Sequence, residues 1–452
     1  MKQKQFSRAR ARSRCAVLAA LGLLAFATAA RAETMLAGVA RVEITPPPGF
    51  TLIGYPPSGR TATGTRDPLY ARVLVLKVGS TRLGLVDLDL VGVFGPDLLA
   101  AMRDETRRDV STLVVVAIHT HSGPNPSYNP DPQELAWEKS AVEKIVGAVH
   151  EAADSADPVR IGIGYGYDYL GHNRLRDERD GSVTWYDKDW SEAPTGPVDP
   201  TVAVLRIDDM GGVPLAILVN YACHPVIYGP DNRLYSADFP GVMTGVVEKA
   251  FDGKPMCFYL QGGAGSTNPY HAASTIQQGA VEFCRQAGTE LGQVAAGIAD
   301  RILTTAAVDP SLQVAEDTLT LGPRWDYKKW LAAEPNNPAV AHHSKDAVFE
   351  APVTTILINR QIAICALPGE PFVDFQMQWR ARCPVHDCLM LGYSGGFGYF
   401  PTIRQAAWGG YGAAHSSTWV ELGAGEQMVD CAIVRTYEML GRLKDTAEDL
   451  AK

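Results

Sequence analysis

Short, continuous apolar runs alternate with longer stretches of helical period along most of this chain. ARVLVLKV (71–78) and RLGLVDLDLVGV (82–93) predict a strand pair, and GPDLLAAMRDETRR (95–108) a helix opening after Gly95-Pro96. STLVVVAIHTH (111–121) predicts a strand and LAWEKSAVEKIVGAVHEAADSA (135–156) a long amphipathic helix. TVAVLRID (201–208) and PLAILVNYACH (214–224) predict strands, PGVMTGVVEKAF (240–251) a helix, and PMCFYLQ (255–261) a strand. A long helix follows over 280–303, then strands over 354–367 and 388–394, then a closing helix over 425–443. This alternation predicts an α/β protein with a mixed β-sheet core flanked by helices. Two long loops, at about 171–200 and 322–347, break the pattern, and loops of that length in a compact domain are often functional. No sequence repeat or low-complexity tract is visible.

The first 32 residues change the picture. Seven Lys/Arg and no acid lie between Lys2 and Arg31, an apolar run spans Cys15 to Ala30, and Ala30-Arg31-Ala32 supplies small residues at a cleavage site. That pattern predicts a secretory signal peptide and a periplasmic or extracellular protein. The run is short for a membrane span and no second one follows, so no stable membrane anchor is expected. Taking those seven from the 41 basic residues leaves 34 against 50 acids, a net charge near −16. Such a surface repels nucleic acid and anionic lipid heads, so a lipid substrate must be captured by apolar contact. The remaining 420 residues are ample for one large core. Seven cysteines remain; Cys383 and Cys388 flank a short turn and are placed to pair in an oxidising compartment, and no CxxC suggests a thiolate metal site. Nothing in the sequence sets an oligomeric state.

Chemistry concentrates at strand ends. VVVAI runs straight into His119 and His121, PLAILVNYAC into His224, RQIAICALPG into Glu370, and MCFYLQ into the turn GGAGSTNP. The C-terminal edge of an α/β sheet is where ligands bind. Side chains two apart on a strand point to the same side, so His119 and His121 are expected to face the same way at the strand's C-terminal end. Two or three imidazoles, a carboxylate and one open position for water suit a catalytic zinc site, although N/O donors accept several divalent ions. The plain alternative is that each His is a hydrogen-bonded rim residue. Likewise His342-His343 reads as solvated, and GGAG as a tight turn, since it lacks the Lys-Ser/Thr of a phosphate loop. Asp87 and Asp89 read as a strand's polar face, or as a second cation site.

These stretches together resemble the neutral/alkaline (non-lysosomal) ceramidase family. AGVARVEITPPPG, HTHSGP, HNRLRD, VDPTVAVLRID, NYACHPVIYGPDNRLYSADFPG, LQGGAGSTNP, LPGEPF and GYFPTIRQAAWGGYG occur in family order over most of residues 33–452. The resemblance implies a zinc amidohydrolase of N-acylsphingosine or another small amphipathic or lipid amide, acting through a zinc-bound water. It implies Zn2+ on His119, His224, Glu370 and Tyr399, and further active-site roles for His121, Arg174 and Tyr411. His121 would move protons, while Arg174 and Tyr411 would stabilise the oxyanion. Asn268 and Gly263 of the Gly-rich turn are the expected substrate contacts. Asn268 stands where long ceramidases carry a Ser, and either offers an amide donor or caps the turn. The chain ends at Lys452 without the immunoglobulin-like domain of long ceramidases, so a single catalytic domain over 33–452 is expected.

Three rival readings stand beside this one. The same zinc site would also serve hydrolysis of a non-ceramide amide or an ester. Gly392-Tyr393-Ser394-Gly395-Gly396 fits the nucleophile elbow G-x-S-x-G. The elbow needs a helix after the Ser, but GGFGYFP follows, and His415 precedes Asp430 rather than following it. A non-catalytic binding protein is the third, with WYDKDW (185–190) and Trp408 lining an apolar pocket.

Overall fold

The apolar runs become strands because aliphatic and β-branched side chains fill both faces of covered sheets. The computed structural model describes residues 33–55, 60–124, 126, 131–177, 183–185, 189–193, 195–335, 348–396, 398–414 and 417–444. From Met35 onward these form one compact unit. The proposed signal segment, His342-His343 and His415 lie outside the described residues.

One connectivity occurs three times. The first copy is β1 (Leu36–Glu43), β2 (Tyr70–Val78), β3 (Thr81–Leu88), α1 (Pro96–Thr106), β4 (Thr112–Ala117) and α2 (Pro132–Asp154). The second is β5 (Asp157–Tyr167), β6 (Thr201–Asp209), β7 (Pro214–Tyr221), α3 (Asp238–Ala250), β8 (Met256–Gln261) and α4 (Ala280–Arg301). The third is β9 (Leu312–Leu321), β10 (Phe349–Ile358), β11 (Ile362–Ala366), α5 (Val373–Arg382), β12 (Asp387–Leu391) and α6 (Ala424–Met439). In each, the first three strands pair antiparallel in sequence order and the fourth joins the third in parallel. A repeat invisible in the residues is therefore plain in the topology.

The first two copies join edge to edge, Leu36 opposite Pro158 and Ala37 opposite Asp157, giving an eight-stranded sheet in the order β8-β7-β6-β5-β1-β2-β3-β4. Side chains then link β8 to the opposite end of the sheet, at β3 and just beyond β4. Gln261 Nε2 donates to Ile118 O at 3.1 Å, and Tyr259 N donates to Asp87 Oδ2 at 3.2 Å. The third copy is a separate four-stranded sheet, β9-β10-β11-β12. Leu74, Leu76, Val116, Leu205 and Leu260 of the large sheet share one core with Ile356, Ile364 and Leu391 of the small one. Helices α1 to α4 cover the far face of the large sheet and α5 and α6 that of the small one. The layers run helix, sheet, sheet, helix.

The predicted strands and helices all appear, with 354–367 resolved into a hairpin turning at Asn359 and Arg360 (φ 52° and 56°). Strands β1, β5 and β9 and helix α5 were not predicted. The long loop at 322–347 contains a helix over Tyr327–Ala333. Asp89 pairs with Arg72, whose Nη1 donates to it at 2.7 Å, and both side chains are buried. The seven described cysteines are free thiols, with those of Cys383 and Cys388 hydrogen-bonded to one another.

Candidate metal centre

The three parallel pairs, β3/β4, β7/β8 and β11/β12, end where the candidate residues begin. Beyond β4, Ile118 N donates to Leu88 O at 3.0 Å and His119 N to Leu90 O at 2.9 Å. His119 then turns left-handed, at φ 72°. This corrects the reason for its pairing with His121: a turn, not strand alternation, brings their Nε2 atoms to 3.2 Å.

Backbone carbonyls orient two imidazoles. His119 Nδ1 lies 2.6 Å from Val91 O, and His224 Nδ1 lies 2.6 Å from Ala264 O. A carbonyl oxygen only accepts, so each Nδ1 carries a proton, and in the neutral imidazole each Nε2 presents a bare lone pair. Into those lone pairs projects Glu370, with Oε2 3.2 Å from His119 Nε2 and 3.0 Å from His224 Nε2. With both imidazoles neutral, three electron-rich atoms face one another, and a cation among them, whether a proton or a metal ion, turns the repulsion into attraction. Two donors at about 2.0–2.1 Å from one tetrahedral ion stand about 3.3 Å apart, close to the observed spacing. His119, His121 and His224 also form a group whose ligating atoms all lie within 4.8 Å of one another.

The electrostatics suit ligation. Burial pushes His224 down to about 4, with Arg174 adding and Glu370 opposing. Burial, then His119 and His224, push His121 well below the usual imidazole range. Burial favours a neutral Glu370, but the charge and hydrogen bonds that His119 and His224 supply when protonated outweigh it and hold the carboxyl well below its ordinary range. Neutral imidazole and ionised carboxylate are the ligating forms.

The remaining predicted residues surround this group. The short strands Glu370–Pro371 and Tyr399–Phe400 pair in parallel with Glu370 opposite Tyr399, and Tyr399 stacks at 6.3 Å from His224. Arg174 is buried; its Nη2 donates to Gly265 O at 2.5 Å, and its guanidinium lies 5.0 Å from the Tyr399 ring and 4.6 Å from the Tyr411 ring. Gly54 covers His121: a Cβ there would sit 1.9 Å from Nδ1, and its φ of +105° suits glycine. Arg60 Nη2 donates to His121 O at 2.5 Å.

The Gly-rich turn serves mainly as a buttress. Gly265 N donates to Pro371 O at 2.9 Å, and a Cβ on Gly265 would lie 2.4 Å from Glu370 O. Gly263 N is committed to Gln376 Oε1 at 2.9 Å, and Gln376 Nε2 donates to Asp199 Oδ2 at 2.7 Å. Asn268 is buried in Thr267–Pro269, paired with Gly171–Asn173 and opposite His172. Asp199 and Gln376 were missed in the sequence, where 177 positions separate them.

Tyr393 was also missed. It lies inside the apparent serine motif, where attention falls on Ser394. Its ring sits 4.4 Å from that of His119, tilted 34°. Ser394 N donates to Leu367 O, and no helix follows: the next described elements are the short Tyr399–Phe400 strand and a helix over Ile403–Trp408. The nucleophile elbow is absent.

Two bare imidazole nitrogens and a carboxylate at strand ends, flanked by a buried arginine and two tyrosines, define a centre able to hold a metal in a hydrolase-like setting. Residues 35–289 match the family model described as neutral/alkaline non-lysosomal ceramidase, N-terminal, and the chain belongs to that family of ceramidase-like hydrolases. The match spans the first copy and most of the second; Glu370, Tyr399 and Tyr411 lie beyond it. The crystal structure of neutral ceramidase from Pseudomonas aeruginosa is similar at TM-score 0.70 and 16% identity, over 92% of this chain and 76% of that one. A ceramidase complexed with C2 is similar at TM-score 0.69 and 15% identity, over 92% and 77%. At these identities the likeness is one of fold. No curated protein sequence matches the chain.

Proposed function

We propose that this protein is a secreted, zinc-dependent amidohydrolase that cleaves N-acylsphingosine or a related lipid amide. The observation that carries the reading is the convergence of His119 Nε2, His224 Nε2 and Glu370 Oε2, with each Nδ1 already committed to a backbone carbonyl. Tyr399, opposite Glu370, completes the proposed ligand set. Bound there, zinc would acidify a water and polarise a carbonyl. The protein's own groups divide the rest. His121 is neutral and beside the ligands, so it takes the proton of the attacking water and returns it to the leaving amine. Arg174, whose buried Nε has no partner among the described residues, holds the developing oxyanion together with Tyr411.

Residues 1–32 act in this reading as a cleaved export signal, and 33–452 as one catalytic domain. No helix among the described residues is long and apolar enough to cross a membrane. The test is metal content of the purified protein together with amine release from a panel of N-acyl amides and esters, ceramide included, with and without chelator. About one zinc per chain and chelator-sensitive cleavage of an amide support the proposal. Activity indifferent to chelator in a metal-free protein sinks it.

A further inference from the structure

Tyr393 ties the three strand ends together. Its N–H donates to Gly369 O at 2.9 Å, immediately before Glu370, and its carbonyl accepts from Ala117 N at 3.3 Å, two residues before His119. Its ring lies against His119 and meets His224 edge-on at 6.2 Å and 88°. It holds this place at φ 58°, a left-handed conformation that costs free energy in a residue with a side chain. A phenylalanine would pack the same way, so packing accounts for the ring and not for the hydroxyl. That hydroxyl is buried and has no hydrogen-bond partner among the described residues. The Glu370 carboxylate and the Arg174 guanidinium both act on it electrostatically. A buried hydroxyl without an acceptor has lost its water and gained nothing in return, a state that native proteins keep where the partner arrives later.

We propose that Tyr393 is a further catalytic residue whose hydroxyl donates a hydrogen bond to an oxygen bound among His119, His224 and Glu370. In the amidohydrolase reading, on which this rests, that oxygen is the substrate carbonyl as it becomes an oxyanion. Tyr393 then works from the His119 side while Arg174 and Tyr411 work from the other.

The test is Tyr393→Phe in the full metal-loaded protein. Loss of one donor to a developing oxyanion lowers kcat by about 10²-fold. KM and bound metal stay unchanged, and the melting temperature holds or rises because an unsatisfied hydroxyl is gone. Binding of acetohydroxamate, an oxygen-donor probe followed by calorimetry, weakens by about tenfold, a readout independent of turnover. Should the wild type cleave no amide, the functional reading falls, and the acetohydroxamate comparison still decides the role of Tyr393. Unchanged kcat and unchanged probe affinity overturn the proposal, as does a parallel loss of metal and melting temperature, which marks a merely structural side chain.

Discussion

At the scale of single residues, what His119 and His224 offer a ligand is set by two backbone carbonyls. Val91 O and Ala264 O fix the tautomers, so the bare nitrogens are built in by the chain. His119→Ala or His224→Ala should therefore remove bound metal and activity together. His121→Ala should keep the metal and lose roughly 10²–10⁴ in kcat, as expected for a lost proton shuttle. Metal analysis beside kinetics separates the two, and metal loss in His121→Ala would move that residue into the ligand set. A second residue sets a pH dependence. Just past β5, burial and the nearby Glu290 push Asp168 up to about 6. A carboxyl whose folded pKa exceeds its unfolded value near 3.9 adds stability below that value and loses it as pH rises through about 6. Asp168→Asn should be more stable than wild type at pH 8, by no more than about 3 kcal/mol, with the gap closing below about pH 4. A gap constant across pH would refute this. His119, His224 and Glu370 were legible because ligating residue types end apolar runs. Tyr393 was not, because its role lies in a left-handed backbone and a stacked ring that no residue pattern encodes.

At the scale of elements, each parallel pair divides its labour. In the first copy β4 delivers His119 and the segment after β3 orients it; in the second β7 delivers His224 and the turn after β8 orients it. In the third β11 delivers Glu370, while residues after β12 hold it: Gly398 O accepts from Glu370 N, and Tyr393 N donates to Gly369 O. The strands that escaped sequence reading have physical reasons too. Strand β5 reads as glycine-rich, with Gly162, Gly164 and Gly166 on one face, which lowers its apparent strand character. Those glycines make room for the end of α4 and the segment beyond it. A Cβ on Gly162 would lie 2.5 Å from Ile302 Cγ2 and 2.8 Å from Leu303 O, a backbone atom that cannot swing aside. Gly162→Ala should destabilise by about 1–3 kcal/mol in urea unfolding. Gly147→Ala, in α2 with open space around its Cβ, should stabilise by about 0.5–1 kcal/mol. The reverse ranking would mean that β5 does not pack as described.

At the scale of the whole molecule, the centre sits where three copies of one supersecondary unit converge: the first brings His119 and His121, the second His224, and the third Glu370 and Tyr399. No copy holds the complete set. The sheet of the third copy shares an apolar core with the others, but the closest polar link of Glu370 to the first two copies is through His119 and His224. That link joins two imidazole nitrogens to one carboxylate oxygen, at 3.2 and 3.0 Å. In the proposed reading a metal ion bound there would clamp all three copies. Its binding would then be coupled to global stability, by roughly 4 kcal/mol when the free ion is at a thousand times its Kd. A chelator should lower the melting temperature by several degrees and make unfolding less cooperative, with the third copy loosening first. Hydrogen exchange followed through α5 and β12, before and after chelation, would locate the loss. Uniform protection across all three copies, with an unmoved melting temperature, would mean that no metal bridges them and that the paired histidines are rim residues after all.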